Sequence, residues 1–314
     1  MTDTRHLAMG GGAEFDLIRR LLETWGDRAH GIGDDAAVIA VPHGEQLVAS
    51  TDASVENVHF RREWMTAREV GARAATAALS DLAAMGARPL GLLLAMALPD
   101  SWLGDAEALA DGVGSAASAV GCPIVGGNVT SSSELALTIT VLGSAGRPLT
   151  RAGAHAGDII FVTGQLGGPG AALAALLAGQ TPDEAHRTRF TAPVPRIAAG
   201  RWLAACGASA AIDISDGLLA DAAHLARASG ISLSLDVDAV PRLPATSTRV
   251  ALSSGEEYEL LVAIPPHVSI DTKMFERTFE IPLTRIGVAV ARSDEAVLME
   301  LRDDAAAGHD HLAR

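Results

Sequence analysis

Arg68 to Met85 reads REVGARAATAALSDLAAM, and within it Ala74, Ala77, Ala78, Asp81 and Met85 recur at the three-and-four spacing of one helix face. The small residues make this a packing face, and Asp81 is a carboxylate set among them. Before it lies a short apolar run, Leu47 to Thr51, and after it another, Leu90 to Leu98, each with the length and bounds of a strand. Strand, small-residue helix and strand in succession predict mixed α/β structure with helices packed on a sheet.

The same style continues in both directions. Phe15, Ile18, Leu21, Leu22 and Trp25 mark an opening amphipathic helix, Leu103 to Val120 a further helix, and Ile124–Val125 and Leu135–Leu142 further strands. Gly143 to Gly157 has no clear period and suggests a domain junction. Beyond it, strands are expected at Ile159–Val162, Ile231–Val237, Tyr258–Ile264, Leu283–Val290 and Ala296–Leu301, and helices at Pro169–Leu177, Arg196–Cys206 and Ser215–Ser229. The expected division is an extension over 1–13, a first domain over 14–148 and a second over 149–314.

Apolar residues at 48% and charged residues at 20% of 314 are globular proportions, so disorder is a poor reading. The formal charge of −14 repels phosphate backbones and anionic lipid, and no basic cluster offsets it, which argues against nucleic-acid and membrane partners. Cys122 and Cys206 have no CxxC or Cys/His spacing, no segment approaches a membrane span, and the N-terminus lacks a leader pattern. A soluble cytoplasmic protein is expected.

Acidic residues stand where solvated charge is not expected. Asp81 lies in the packing stripe; Asp52 follows Leu47–Thr51 and Asp213 follows Ala210–Ile212, both at expected strand ends, with Asp216 three residues on; Asp34 and Asp35 follow Gly31 and Gly33. Leaving a buried carboxylate unpaired costs several kcal/mol, so each needs a cation or donors. Taken singly, Asp34 and Asp35 read equally well as turn residues, and Ser215 and Asp216 read better as caps of the helix that follows. Together the acids favour a hard, oxygen-seeking ion, Mg²⁺ first, which in turn implies a phosphate-bearing substrate. Lys273 is the one lysine and sits in neither a P-loop nor a protein-kinase motif, and no GxSxG elbow is present. Arg151 and His59 are the remaining candidates for phosphate contact.

Eight segments in order, Gly31–Val38 (GIGDDAAV), Ser50–Asp52, Val55–Phe60 (VENVHF), Leu79–Ala87 (LSDLAAMGA), Gly126–Asn128, Arg151–Ala154, Ala211–Leu218 (AIDISDGL) and Gly255–Leu260 (GEEYEL), resemble the thiamine-monophosphate kinase family from about Glu14 to Leu312. The resemblance implies the two-domain α/β (α+β) fold of aminoimidazole ribonucleotide synthetase, with an N-terminal domain whose mixed sheet dimerises and a C-terminal α/β domain that covers the active site. It implies a homodimer that uses ATP and several Mg²⁺ ions to phosphorylate thiamine monophosphate to thiamine diphosphate. No side-chain base is needed, because the attacking phosphate oxygen is already anionic.

Position by position, the resemblance implies metal ligation by Asp35, Ser50, Thr51, Asp52, Asp81, Asn128, Asp213 and Asp216. It implies nucleotide contact by Gly127, Asn128, Arg151 and Ser215, and substrate contact by His59, Glu256 and His309. Several positions depart from the family's usual residues: Asn128 for Asp, with Val129 for Thr and Ser131 for Arg beyond it, Ala78 for Asn, Glu257 for Asp, and His309 for an aromatic ring. Two alternatives stay open, an ATP-dependent enzyme of the same fold acting on another small phosphorylated or carboxylated compound, and a non-catalytic Mg-nucleotide-binding homologue.

Overall fold

The computed structural model describes residues 12–299. The chain divides into two compact units, one comprising the residues up to Leu82 with Arg88–Gly146, the other Ala83–Ala87 with the residues from Arg147 onward.

The first unit opens with α1 (Ala13–Trp25), which buries Leu17, Leu21 and Trp25. It continues through β1 (Gln46–Val55), α2 (Ala67–Ala84), β2 (Arg88–Leu98), α3 (Ala106–Ala119), β3 (Ile124–Ser131) and β4 (Ala136–Ala145). The sheet order is β1-β4-β2-β3, antiparallel except for the β2–β3 pair. Leu92, Leu94 and Met96 of β2 alternate inward and meet the same face as Ile139 and Val141 of β4, while α2 contributes Leu79 and Leu82 to the core. Each such side chain contributes about 1.5–3 kcal/mol on leaving water.

The helices α2 and α3 approach closely because glycine lets them. A Cβ on Gly71 would lie 2.0 Å from the Leu109 carbonyl oxygen, and one on Gly112 would lie 2.0 Å from that of Arg68. The small residues of REVGARAATAALSDLAAM are thus the condition for packing backbone against backbone.

β1 is longer than its apolar run. It continues to Val55, so Asp52 lies within the strand and not at its end. Val48, Ser50, Asp52 and Ser54 take the more buried side, and Ala49, Thr51 and Ala53 the exposed one. Polar residues continue the alternation here, which a search for apolar runs does not follow.

The second unit contains β5 (Ile159–Thr163), α4 (Gly168–Leu177), α5 (Glu184–Thr191), α6 (Ile197–Cys206), β6 (Ala210–Asp213), α7 (Leu218–Ser229), β7 (Ser232–Leu235), α8 (Thr248–Ser253), β8 (Leu260–Ile264), α9 (Thr272–Phe279), β9 (Leu283–Val290) and β10 (Val297–Met299). Its sheet runs β10-β7-β9-β5-β8-β6, with the adjacent interior strands β5 and β8 rich in Ile, Val and Leu. Ile160, Val162, Ile212, Ile214, Leu225, Leu233, Leu261 and Ile286 belong to one core.

Two expected elements beside the candidate acids of the second unit begin later than their sequence pattern. The helix from Ser215 starts at Leu218, because Gly217 at φ 117° ends a loop. The strand from Tyr258 starts at Leu260, because Glu256 and Tyr258 adopt left-handed φ of 58° and 52°. The helices α5, α8 and α9 were not expected; α8 is only six residues long, and α9 buries only Phe275, too little to set a period.

Candidate active site

In the first unit, β1 and α2 bring Ser50, Asp52 and Asp81 together. The Ser50 hydroxyl donates to Asp81 Oδ2. Burial first, and then the neighbouring Asp81 charge, push the Asp52 carboxyl up to about 6 from 3.8. Both influences act in the same direction, which is the condition a bound dication would relieve.

Thr51 belongs to the other face of the strand. Its hydroxyl meets that of Thr140 at 3.0 Å. Asn128 is further removed: β3 and β1 are opposite edges of the sheet, three strand steps or about 14 Å apart. Asn128 pairs with Ala95, Ala95 with Thr138 and Thr138 with Ala53, a row on the face opposite to Asp52. A ligand reaches Mg²⁺ over only about 2.1 Å, so one chain's Asn128 and Asp52 do not share an ion. Gly127, by contrast, is fixed by space, since a Cβ there would lie 1.9 Å from the Leu94 oxygen.

Asp35 lies in an exposed loop, where its backbone N–H donates to Asp34 Oδ1 at 2.9 Å. His59 is half-buried in the turn after β1, and its Nδ1 accepts from the Val55 N–H at 3.1 Å, which leaves the ring hydrogen of the neutral imidazole on Nε2.

In the second unit, Asp213 is buried at the end of β6, followed by the loop Ser215–Gly217. This loop is laced to the GEEYEL segment: Glu256 N–H donates to Ser215 O at 2.7 Å, Tyr258 N–H to Ile214 O at 2.9 Å, and Ile214 N–H to Glu259 O at 2.8 Å. Asp213, Ser215, Asp216 and Glu256 therefore form one connected region. Arg151 is exposed, and its carbonyl accepts from the Ser229 hydroxyl at 2.6 Å. His309 lies outside the described residues.

Sequence reasoning missed two features here. Asp221, buried on the first turn of α7, accepts the N–H groups of Ser215, Asp216 and Gly217 on a single oxygen at 3.0, 3.0 and 3.1 Å. Burial, then Asp213 and Asp216, push its carboxyl up to about 7 against the pull of those amides. Ligand atoms of Asp216, Asp221 and His224 lie within 4.8 Å of one another. The only available sign was the five-residue step from Asp216 to Asp221.

The second feature is a buried ion network behind GEEYEL. Glu259 receives Arg196 as a fork, Nε to Oε2 at 2.9 Å and a terminal nitrogen to Oε1 at 2.6 Å. It also receives Arg189 at 2.9 Å and the Thr163 hydroxyl at 2.6 Å. Arg189 in addition donates to the Glu257 carbonyl at 3.0 Å. Burial pushes Glu259 up, but the two guanidinium groups and Thr163 more than offset it and hold the carboxyl below its ordinary value. Glu257 is buried as well and is pushed up to about 7 by burial, while its Oε1 accepts from the Gly167 N–H at 2.6 Å.

The profile of the AIR synthase related protein N-terminal domain matches residues 33–145, and that of the C-terminal domain residues 155–300. A thiamine-monophosphate kinase of Salmonella typhimurium is 39% identical over 274 residues, 80% of this chain and 82% of that protein. The chain belongs to the thiamine-monophosphate kinase family. The structure of the family member from Stenotrophomonas maltophilia K279a superposes with a TM-score of 0.81 at 34% identity, covering 94% of this chain and 98% of that one. The structure of AaThiL complexed with AMPPCP and TMP superposes with a TM-score of 0.76 at 30% identity, covering 94% and 96%. The chain is mixed α/β and matches both AIR synthase related domains. Among the described residues no helix is long and apolar enough to cross a membrane.

Proposed function

We propose that this chain transfers the γ-phosphoryl group of ATP to thiamine monophosphate, giving thiamine diphosphate and ADP, with Mg²⁺ as the required ion. The observation that carries the reading is the donor set. Ser50, Asp52 and Asp81 offer only oxygen, and Asp52 is raised by burial and by a like charge, a state that a hard dication stabilises. Asp213 and Asp216 offer a second group of the same chemistry. When bound, Mg²⁺ supplies charge neutralisation for phosphate oxygens.

The side chains then have separable tasks. Asp52, Asp81, Asp213 and Asp216, with Ser50, hold ions; Asp35, Thr51 and Asn128 are assigned as further ligands, Asn128 for an ion other than that of Asp52. Gly127, Asn128, Arg151 and Ser215 contact the nucleotide. His59, through Nε2–H, and Glu256 contact the acceptor, together with His309. No residue is assigned as a general base, because the attacking oxygen of a phosphate monoester is already anionic near neutral pH.

A homodimer is part of the reading, supported by the exposed outer residues of β1, Leu47, Ala49, Thr51 and Ala53. So is a cytoplasmic setting, where ATP is available. The deciding experiment incubates the protein with ATP, Mg²⁺ and thiamine monophosphate and separates the products chromatographically. Equimolar thiamine diphosphate and ADP are expected; ADP formed only with a different acceptor would overturn the assignment.

A further inference from the structure

The loop Ser215–Gly217 precedes α7 and carries residues assigned above to ion and nucleotide binding. A loop of successive amides running into a helix N-terminus is a concavity that binds anions, phosphate among them. Here the concavity is already filled from within. Asp221 Oδ2 accepts the N–H of Ser215, Asp216 and Gly217 at 3.0, 3.0 and 3.1 Å, and the residue is 2% exposed.

The geometry is closed from the other side too. Gly217, at φ 117°, would bring a Cβ within 3.0 Å of the Ser253 carbonyl group, and the Ser215 carbonyl is engaged by the Glu256 N–H at 2.7 Å. The loop thus has little freedom while Asp221 is in place. Its three amides are turned toward a carboxylate that belongs to the chain.

We propose that Asp221 is a positioning residue: its carboxylate is a resident anion that fixes the loop bearing Ser215 and Asp216, beside Asp213 at the end of β6, for cation binding and denies the loop amides to free phosphate. The consequence is a division of labour at one helix end. The amides are spent on internal structure, so phosphate oxygens are held through cations and side chains. The inference rests on the assignment of Asp213 and Asp216 as ion ligands.

Two variants of the full chain, Asp221→Ala and Asp221→Asn, test it. Mg²⁺ binding without nucleotide, followed by titration calorimetry, is expected to weaken about tenfold or more in Asp221→Ala. The same variant gains a thermal shift with inorganic phosphate that the parent protein lacks, and formate, a carboxylate small enough to refill the site, restores part of its Mg²⁺ binding. Asp221→Asn retains an accepting oxygen but loses the charge; it is expected to fold, to bind Mg²⁺ severalfold more weakly and to gain no phosphate response.

Mg²⁺ binding equal to the parent in Asp221→Asn would overturn the inference. So would an Asp221→Ala protein that folds yet shows neither the phosphate shift nor formate rescue. If Asp221→Ala does not fold, the Asn variant decides alone. Asp213→Asn separates this from the underlying assignment: should it bind Mg²⁺ like the parent, the assignment of the loop to ion binding fails first.

Discussion

Two groups of acids in this protein differ in how their charge is met. Glu259 is fully buried, yet Arg196 and Arg189 hold its carboxyl below the ordinary range. Asp52 is only half-buried, yet burial and Asp81 hold it at about 6. Depth is therefore a poor guide to purpose. A carboxylate met by guanidinium groups of its own chain completes a structure, whereas Asp52 and Asp81, gathered beside one another, are the acids proposed to hold a cation from outside.

The sharpest way to break this contrast is to remove one member of the compensated network. Glu259→Ala leaves Arg196 without its carboxylate fork and Arg189 with Glu257 alone, at 3.8 Å, and a loss of about 3–5 kcal/mol is expected in denaturant unfolding. The same change also loosens the left-handed segment at Glu256 and Tyr258, since Arg189 ties Glu259 to the Glu257 carbonyl. A variant as stable as the parent would show that the network is not structural.

Removing an acid from the other class should act on chemistry instead. Asp213→Asn is expected to lower turnover about 10²- to 10³-fold with the fold intact. Steady-state rates of ADP release alongside circular dichroism check it, and parent-like turnover would contradict the ion-binding assignment.

A third prediction concerns pH in the metal-free protein. Asp52 has a folded-state pKa of about 6 against an ordinary 3.8, so between these values the folded state binds more protons than the unfolded one. Stability from this group is therefore lost as pH rises through that window. Asp52→Asn should remove this part of the pH slope and stabilise the metal-free protein above pH about 6, an effect of at most about 3 kcal/mol at about 1.4 kcal/mol per pH unit of the window, reduced by solvent screening of a half-buried group. Thermal unfolding in chelator from acid to neutral pH reads it, and an unchanged slope would refute the raised carboxyl of Asp52.

The smallest effect is expected at Asn128. Restoring the family's usual carboxylate in Asn128→Asp adds a charged ligand at the sheet edge remote from Asp52, and should lower the Mg²⁺ concentration for half-maximal rate by a few fold. An unchanged titration would remove Asn128 from the ligand set.

Much of this was legible from local pattern. The stripe Ala74, Ala77, Ala78, Asp81 announces both a packed helix and a carboxylate in need of a partner, because helical spacing is set by neighbours in the chain. The run Ala210–Ile212 likewise places Asp213 at a strand end. Strand limits were less legible where polar residues carry the alternation, as at Asp52 and Ser54, or where backbone strain interrupts it, as at Glu256.

Sequence alone thus determined the mixed α/β class, the family and the identity of the acids, since these depend on residue type and short-range spacing. Tertiary structure decided which acids meet. It set Ser50 against Asp81, put Thr51 and Asn128 on the face away from Asp52, folded Asp221 back onto three amides, and matched Glu259 with Arg189 and Arg196. Those pairings join residues through strand order, pleat and loop closure, and a carboxylate's charge state follows from what finally surrounds it.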